Sequence, residues 1–192
     1  MNELRDIAWL VCGVYATIPA YWMMVHPFVR HWRSARKQRT IMGPLWILLW
    51  IAALAISYPL KDVLLYRTLG AWVAAPLLWT ITVFTYVRGT HGLSVPCVLG
   101  MHELEPDRYP NVLVTSGIHR IVRHPVYLGH ICTMLGFAVG SGSAACFALF
   151  AFGIVTGAVM IVFEERELHA RFGSAWEEYC KCTPAIIPIR KS

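Results

Sequence analysis

Apolar residues run without a formal charge over residues 7–25, 43–60 and 68–87, and again over residues 125–163, where His130 alone titrates near neutrality. A helix needs roughly 20 mostly apolar residues to cross a bilayer. The first three runs are single crossings by that measure. The fourth would make a helix of about 58 Å, roughly two crossings. Gly140-Ser141-Gly142-Ser143 supplies the turn that would fold it into two rods. The pattern therefore predicts an all-α, polytopic membrane helical bundle of five transmembrane helices, the last two forming a tight C-terminal hairpin.

Polar segments set the expected orientation. Of 17 Lys and Arg, 14 fall in the segment after the first run, the segment between the third and fourth, and the tail. Arg5, Lys61 and Arg67 fall on the other side. The positive-inside rule then places the N-terminus outside and the C-terminus in the cytoplasm. The membrane would be the cytoplasmic membrane in a bacterium or the endoplasmic reticulum in a eukaryote. Glu3, Arg5 and Asp6 do not make the positive leader of a signal peptide, so the first run is expected to stay as a span.

Composition agrees. Hydrophobic residues make up 57% of the 192 residues and charged ones 15%, against about 25% charged in soluble domains; mean hydropathy is +0.52. This excludes a disordered chain and disfavours a soluble enzyme. The isoelectric point near 9.1 is accounted for by topology and by anionic headgroups at the basic loops, and no recognition motif for nucleic acid accompanies it. The partner expected is the lipid bilayer. No nucleic acid and no obligate protein partner is implied. Six scattered cysteines make no disulfide framework.

Gly136 and Gly140 in the fourth span and Gly153 and Gly157 in the fifth form two GxxxG patterns, read as close packing of the hairpin. Pro76 should kink the third span and open a lateral entrance. Trp46, Trp50, Trp72 and Trp79 read as belts or packing rather than a lipid groove. Leu168, Phe172, Trp176 and Tyr179 share one helical face, so residues 165–181 are expected to continue the last span as an amphipathic helix ended by Thr183-Pro184. Residues 185–189 would return to the membrane surface.

Chemistry concentrates at the cytoplasmic edge of the hairpin. Its start carries Arg123-His124-Pro125-Val126-Tyr127-Leu128-Gly129, and its end Glu164-Glu165. Folding at the glycine turn brings them to one depth. Adjacent acids at a helix C-terminus oppose the macrodipole, so a cation, Arg123 or a ligand, should compensate. The rival reading is that Arg123 and His124 snorkel while the acids cap the membrane end. His130, an ionisable group within a span, either lines a pocket or packs as a neutral ring. His102, Glu103, Glu105 and Asp107 match no standard metal site, and no metal is expected.

The Arg-His-Pro-x-Tyr-x-Gly run, the apolar hairpin, Glu164-Glu165, Phe172-Gly173 and Trp176-Glu177-Glu178-Tyr179 before Thr183-Pro184 resemble the isoprenylcysteine carboxyl methyltransferase and phospholipid methyltransferase superfamily. The likeness covers residues 113–188. It implies that the chain is one domain, residues 1–192, with three N-terminal spans in 1–88 and a cofactor-binding region in 89–192. The implied activity is S-adenosylmethionine-dependent methyl transfer to a lipophilic or membrane-embedded acceptor, with S-adenosylhomocysteine as product and a cytoplasmic cofactor pocket. The resemblance implies cofactor contacts at Val114, Thr115, Gly117, His124, Pro125, Tyr127, Leu128, Gly129, Glu164 and Glu165, and a catalytic or orienting pair in Arg123 and Glu165. His119 stands where the family commonly has Tyr, and Cys182 where it has Arg. The alternatives are a phospholipid amine N-methyltransferase, an NADPH-dependent reductase of the sterol reductase type, and a non-enzymatic membrane protein on the same fold.

Overall fold

The computed structural model describes residues 2–33, 38–91, 101–105, 107–109 and 112–189, with the backbone alone for Gln38, Arg39, His102 and Glu103. Six main helices follow in order: α1 (Asn2–Val25), α2 (Gly43–Ser57), α3 (Ala71–Gly89), α4 (Pro125–Ser141), α5 (Ala144–Phe172) and α6 (Ser174–Cys182). Four helical stretches, Asn2–Trp32, Thr40–Leu60, Ala71–Gly89 and Ala144–Phe172, are long and apolar enough to cross a membrane. α4 is apolar too, but has only 17 residues.

The hairpin turns where the glycines allow. α4 keeps Gly140 and Ser141 in the helix and ends at Gly142, whose φ of 65° is the left-handed conformation that suits glycine. The break thus falls inside the glycine-serine run, at its third residue. The loop after α2 seals this closed end. Leu65 N–H donates to Gly142 O at 2.9 Å, Ala144 N–H to Val63 O at 2.9 Å, and Tyr66 Oη to Val139 O at 2.5 Å. α3 starts at Ala71, not at residue 68, because Thr68 to Gly70 make a turn onto its first amides.

The small residues pack, but with different partners than expected. α4 lies most extensively against α3, more than against α5. A Cβ on Gly136 would lie 2.6 Å from the Trp79 indole nitrogen, and one on Gly140 2.4 Å from the Trp72 ring. The α4 glycines are therefore slots for the α3 tryptophans. On α5, Gly153 faces Met134 of α4 and Ala16 of α1, and Gly157 faces Pro19 of α1. The close packing expected of the hairpin is thus divided over two seams, with indole rings filling the α4 slots and only Gly153 meeting the other arm. In α1, Ala8, Cys12, Ala16 and Ala20 recur every fourth residue and are buried. The first three join Met134, Ala138, Cys146 and Leu149 in the core.

α2 is apolar around its circumference and mostly exposed, as a lipid-facing helix must be. Its buried exception, Ser57, accepts a 2.9 Å hydrogen bond from Trp9 Nε1. At Gly173, φ of 53° breaks the chain between α5 and α6. The amphipathic continuation is therefore two helices, and the break turns α6 toward the open end of the hairpin.

Candidate functional site at the open end of the hairpin

The residues just before α4 and just past the apolar part of α5 meet. Arg123 Nη2 lies 2.6 Å and Nε 3.0 Å from Glu165 Oε1. His124 Nε2 lies 3.1 Å from the same oxygen. The other ring nitrogen, Nδ1, lies 3.6 Å from Glu164 Oε2. One imidazole thus stands between two carboxylates contributed by the facing helix. The compensating cation is Arg123, although α5 runs on to Phe172, so the acids lie two turns before the helix end. The helix-end argument for that cation fails, since the macrodipole acts within the last turn; pairing of partly buried charges accounts for it instead.

The site closes around Arg123 from the tail. Its Nη1 donates to Thr183 O, and its guanidinium lies 5.7 Å from the centre of the buried Trp176 ring. The backbone N–H groups of Arg123 and His124 donate to Pro184 O and Ala185 O, both at 2.9 Å. Residues 183–185 therefore hold the segment that enters α4, while Ile187 and Ile189 stay exposed. Tyr179 Oη donates to His119 O at 2.6 Å; burial pushes its hydroxyl up to about 12, so it remains a donor at neutral pH. His119 Nε2 reaches Gly89 O at 3.1 Å and ties α3 to the same node. Trp176, Tyr179, Thr183 and His119 were not picked out as site residues from the sequence. The aromatic face of 168, 172, 176 and 179 was the signal that could have found two of them.

The other expected residues divide. Tyr127 stacks on His124 with ring centres 5.5 Å apart and planes 20° apart. Pro125 begins α4 and is buried against Gly89. Leu128 is half-buried one turn on. Gly129 is turned to α3: a Cβ there would lie 2.4 Å from the Tyr86 ring, and its carbonyl accepts from Thr82 Oγ1 at 3.1 Å. Val114 is half-buried, while Thr115 and Gly117 are exposed on the approach, where Gly117 has φ of 60°. His130 sits among rings, edge-on to Tyr15 at 5.2 Å and Tyr86 at 5.6 Å, with Tyr127 at 6.0 Å. That is the packed reading of this histidine.

Among the described residues, six buried polar side-chain atoms make no hydrogen bond, and one carboxylate oxygen of the site is among them. Glu164 Oε2 is buried and has no hydrogen-bond partner among the described residues. A desolvated carboxylate oxygen in that state costs free energy, and a positively charged donor would relieve it. No group of three or more His, Cys, Asp or Glu among the described residues could hold a metal ion. The side chains of His102 and Glu103 lie outside the described residues.

Comparison with known proteins adds an independent line. The phospholipid methyltransferase family model matches residues 65–175, which include α3, α4, α5, Arg123 and both glutamates. The cobalt-zinc-cadmium resistance protein CzcN of Cupriavidus metallidurans is 35% identical over 121 residues, 62% of this chain and 52% of that protein. The Delta(14)-sterol reductase of Mus musculus is 32% identical over 99 residues, 50% of this chain and 23% of its own length. The protein-S-isoprenylcysteine O-methyltransferase of Schizosaccharomyces pombe is 35% identical over 80 residues, 41% of this chain and 34% of its own length. The chain thus spans about half or less of the curated relatives it matches. No solved structure matches it. With an all-helical fold, several apolar helices of membrane-crossing length and a family match over more than half of its residues, the chain belongs to the phospholipid methyltransferase family of integral membrane methyltransferases.

Proposed function

We propose that this protein transfers a methyl group from S-adenosylmethionine to a small lipophilic or membrane-embedded acceptor. The observation that carries the reading is the cluster of Arg123, His124, Glu164 and Glu165 at one end of the hairpin. The donor set fits the cofactor. Glu164 Oε2 is a buried acceptor that makes no hydrogen bond, with His124 Nδ1 at 3.6 Å, and the ammonium of an amino acid group is a donor of the right charge. Glu164 and Glu165 would hold that end. His124, Pro125, Tyr127, Leu128 and Gly129, with Val114, Thr115 and Gly117 on the approach, would line the rest. When bound, the cofactor supplies an electrophilic methyl on a sulfonium.

The chain's own work is positioning, which can be worth roughly 7–11 kcal/mol in a two-reactant step. Arg123, held by Glu165, Thr183 O and the Trp176 face, orients the acceptor. A carboxylate acceptor loses no proton, so orientation suffices. An amine or thiol must lose one, and His124 or Glu165 would take it. Five crossings with this end in the cytoplasm agree with the charge asymmetry. At about 26 Å, α4 is slightly short of the roughly 30 Å hydrocarbon core, and Gly142-Ser143 would lie near the far interface.

Calorimetry on the purified protein in detergent tests the cofactor. Binding of S-adenosylhomocysteine, lost in Glu164→Gln, supports the reading. Binding of NADPH alone would support a reductase, the reading favoured by the sterol reductase relative. Binding of neither would leave a membrane protein without this chemistry. A screen of prenylcysteines, phospholipid amines and small thiols then identifies the acceptor.

A further inference from the structure

The three cations outside the basic loops, Arg5, Lys61 and Arg67, converge on one spot at the closed end of the hairpin. The first turn of α1 and the loop after α2 enclose a polar pocket of about 230 Å³ there, lined by Asn2, Arg5, Asp6, Asp62, Leu64 and Arg67. Its charges are not mutually satisfied. Asp6 is taken by Lys61, 2.8 Å away, and the Lys61 ammonium also lies over the rings of Trp9 and Tyr58. Arg5, Arg67 and Asp62 make no ion pair among the described residues. Among the described residues, two guanidinium groups therefore line the pocket without an ion pair, and the exposed Asp62 feels only the neighbouring Lys61 charge.

The pocket lies at the membrane boundary. Asp6 precedes the first apolar run and Asp62 follows the second. Leu4, Ile7, Val63 and Leu65 beside it are exposed. A polar cup with an apolar rim suits a ligand with a charged head and a hydrocarbon body. Arginine pairs bind phosphate oxygens through paired N–H groups, and an aspartate beside them complements an ammonium. We propose that this pocket seats the headgroup of a phospholipid of the leaflet at the hairpin turn, its phosphate between Arg5 and Arg67 and an amino headgroup on Asp62. The lipid is a resident one and not the methyl acceptor, because α4 separates the pocket from Arg123 by about 26 Å. The inference rests on the membrane-crossing reading and is independent of the methyl donor.

Native mass spectrometry of the detergent-purified chain tests it, with dioleoylphosphatidylethanolamine, dioleoylphosphatidylglycerol or inorganic phosphate added. The expected result is one retained phosphatidylethanolamine per chain, reduced about tenfold by Arg5→Gln or Arg67→Gln and less by Arg67→Lys, which keeps the charge and loses the fork. Asp62→Asn should shift preference toward phosphatidylglycerol. Retention unchanged in the Arg5→Gln/Arg67→Gln double variant overturns the site. Inorganic phosphate displacing the lipid at equal concentration overturns the lipid as its source. Equal retention of both lipids by the unaltered chain overturns the role of Asp62. The melting temperature of each variant in detergent, measured on the same samples, reports its folding independently of the methyl donor.

Discussion

The two ends of the α4–α5 hairpin are held in opposite ways. At the closed end, each hydrogen bond to the loop after α2 ends on a main-chain carbonyl: the amides of Leu65 and Ala144 and the hydroxyls of Tyr66 and Ser143 donate, and Gly142 supplies the one φ there that a side chain would oppose. At the open end, side chains do the joining. Arg123, His124, Glu164 and Glu165 come from segments some 40 residues apart and are locked by charge. Main-chain closure tolerates many side chains and builds a fold. Charge closure at partly buried positions is costly when one partner is lost, and it leaves Glu164 Oε2 without a hydrogen bond. That asymmetry separates scaffold from site, and it can be broken experimentally.

The largest effect is expected at the open end. Glu165→Ala and Arg123→Ala should each lower methyl transfer by roughly 10²–10³-fold, the range for losing a preorganised charge partner, with the protein still folded. Transfer of a labelled methyl group by each purified variant measures this; near-normal turnover in both would remove the distinction between the ends. Next, Gly140→Leu should destabilise the α3–α4 seam by about 1–3 kcal/mol by overpacking Trp72, read as a fall in melting temperature in detergent. Trp72→Ala on the same chain should recover part of the loss.

Gly142→Ala should cost about 1–2 kcal/mol through the left-handed backbone, with a further clash because its Cβ would lie 2.7 Å from Tyr66 O. If turnover rather than melting temperature falls first, the closed end is not merely scaffold. Smallest is Trp176→Leu, which removes a ring worth about 0.5–2 kcal/mol to the Arg123 guanidinium. Its signature is a several-fold lower kcat with unchanged binding of S-adenosylhomocysteine, whereas a purely structural role would lower the melting temperature alone.

The residues differ in how legible they were. The meeting of Arg123-His124 with Glu164-Glu165 could be read from sequence, because a hairpin with a recognisable turn forces its two outer flanks together, but which acid takes Arg123 could not. The helix break at Gly173 could not: a single glycine in an amphipathic stretch fits a helix interior as well as a hinge until its φ is known. The glycine patterns announced close packing, yet the partner of Gly136 and Gly140 was misjudged. Small residues say that something approaches, and only the neighbouring helix says what. His130 was undecidable for the same reason, since ring packing and pocket lining ask for the same residue type.

Periodicity and charge along the chain were enough to establish an all-helical protein with apolar helices of membrane-crossing length, a turn near residue 142 and a polar cluster at one end of the hairpin. Each of these depends on local composition or on residues joined through one short connection. Tertiary structure alone decided that α3 tryptophans fill the α4 glycine slots, that α6 and residues 183–185 fold back to hold Arg123, and that Arg5, Asp62 and Arg67 share a pocket. Those arrangements join segments distant in sequence through side-chain shape and charge, and no local pattern encodes which distant surface a given face will meet.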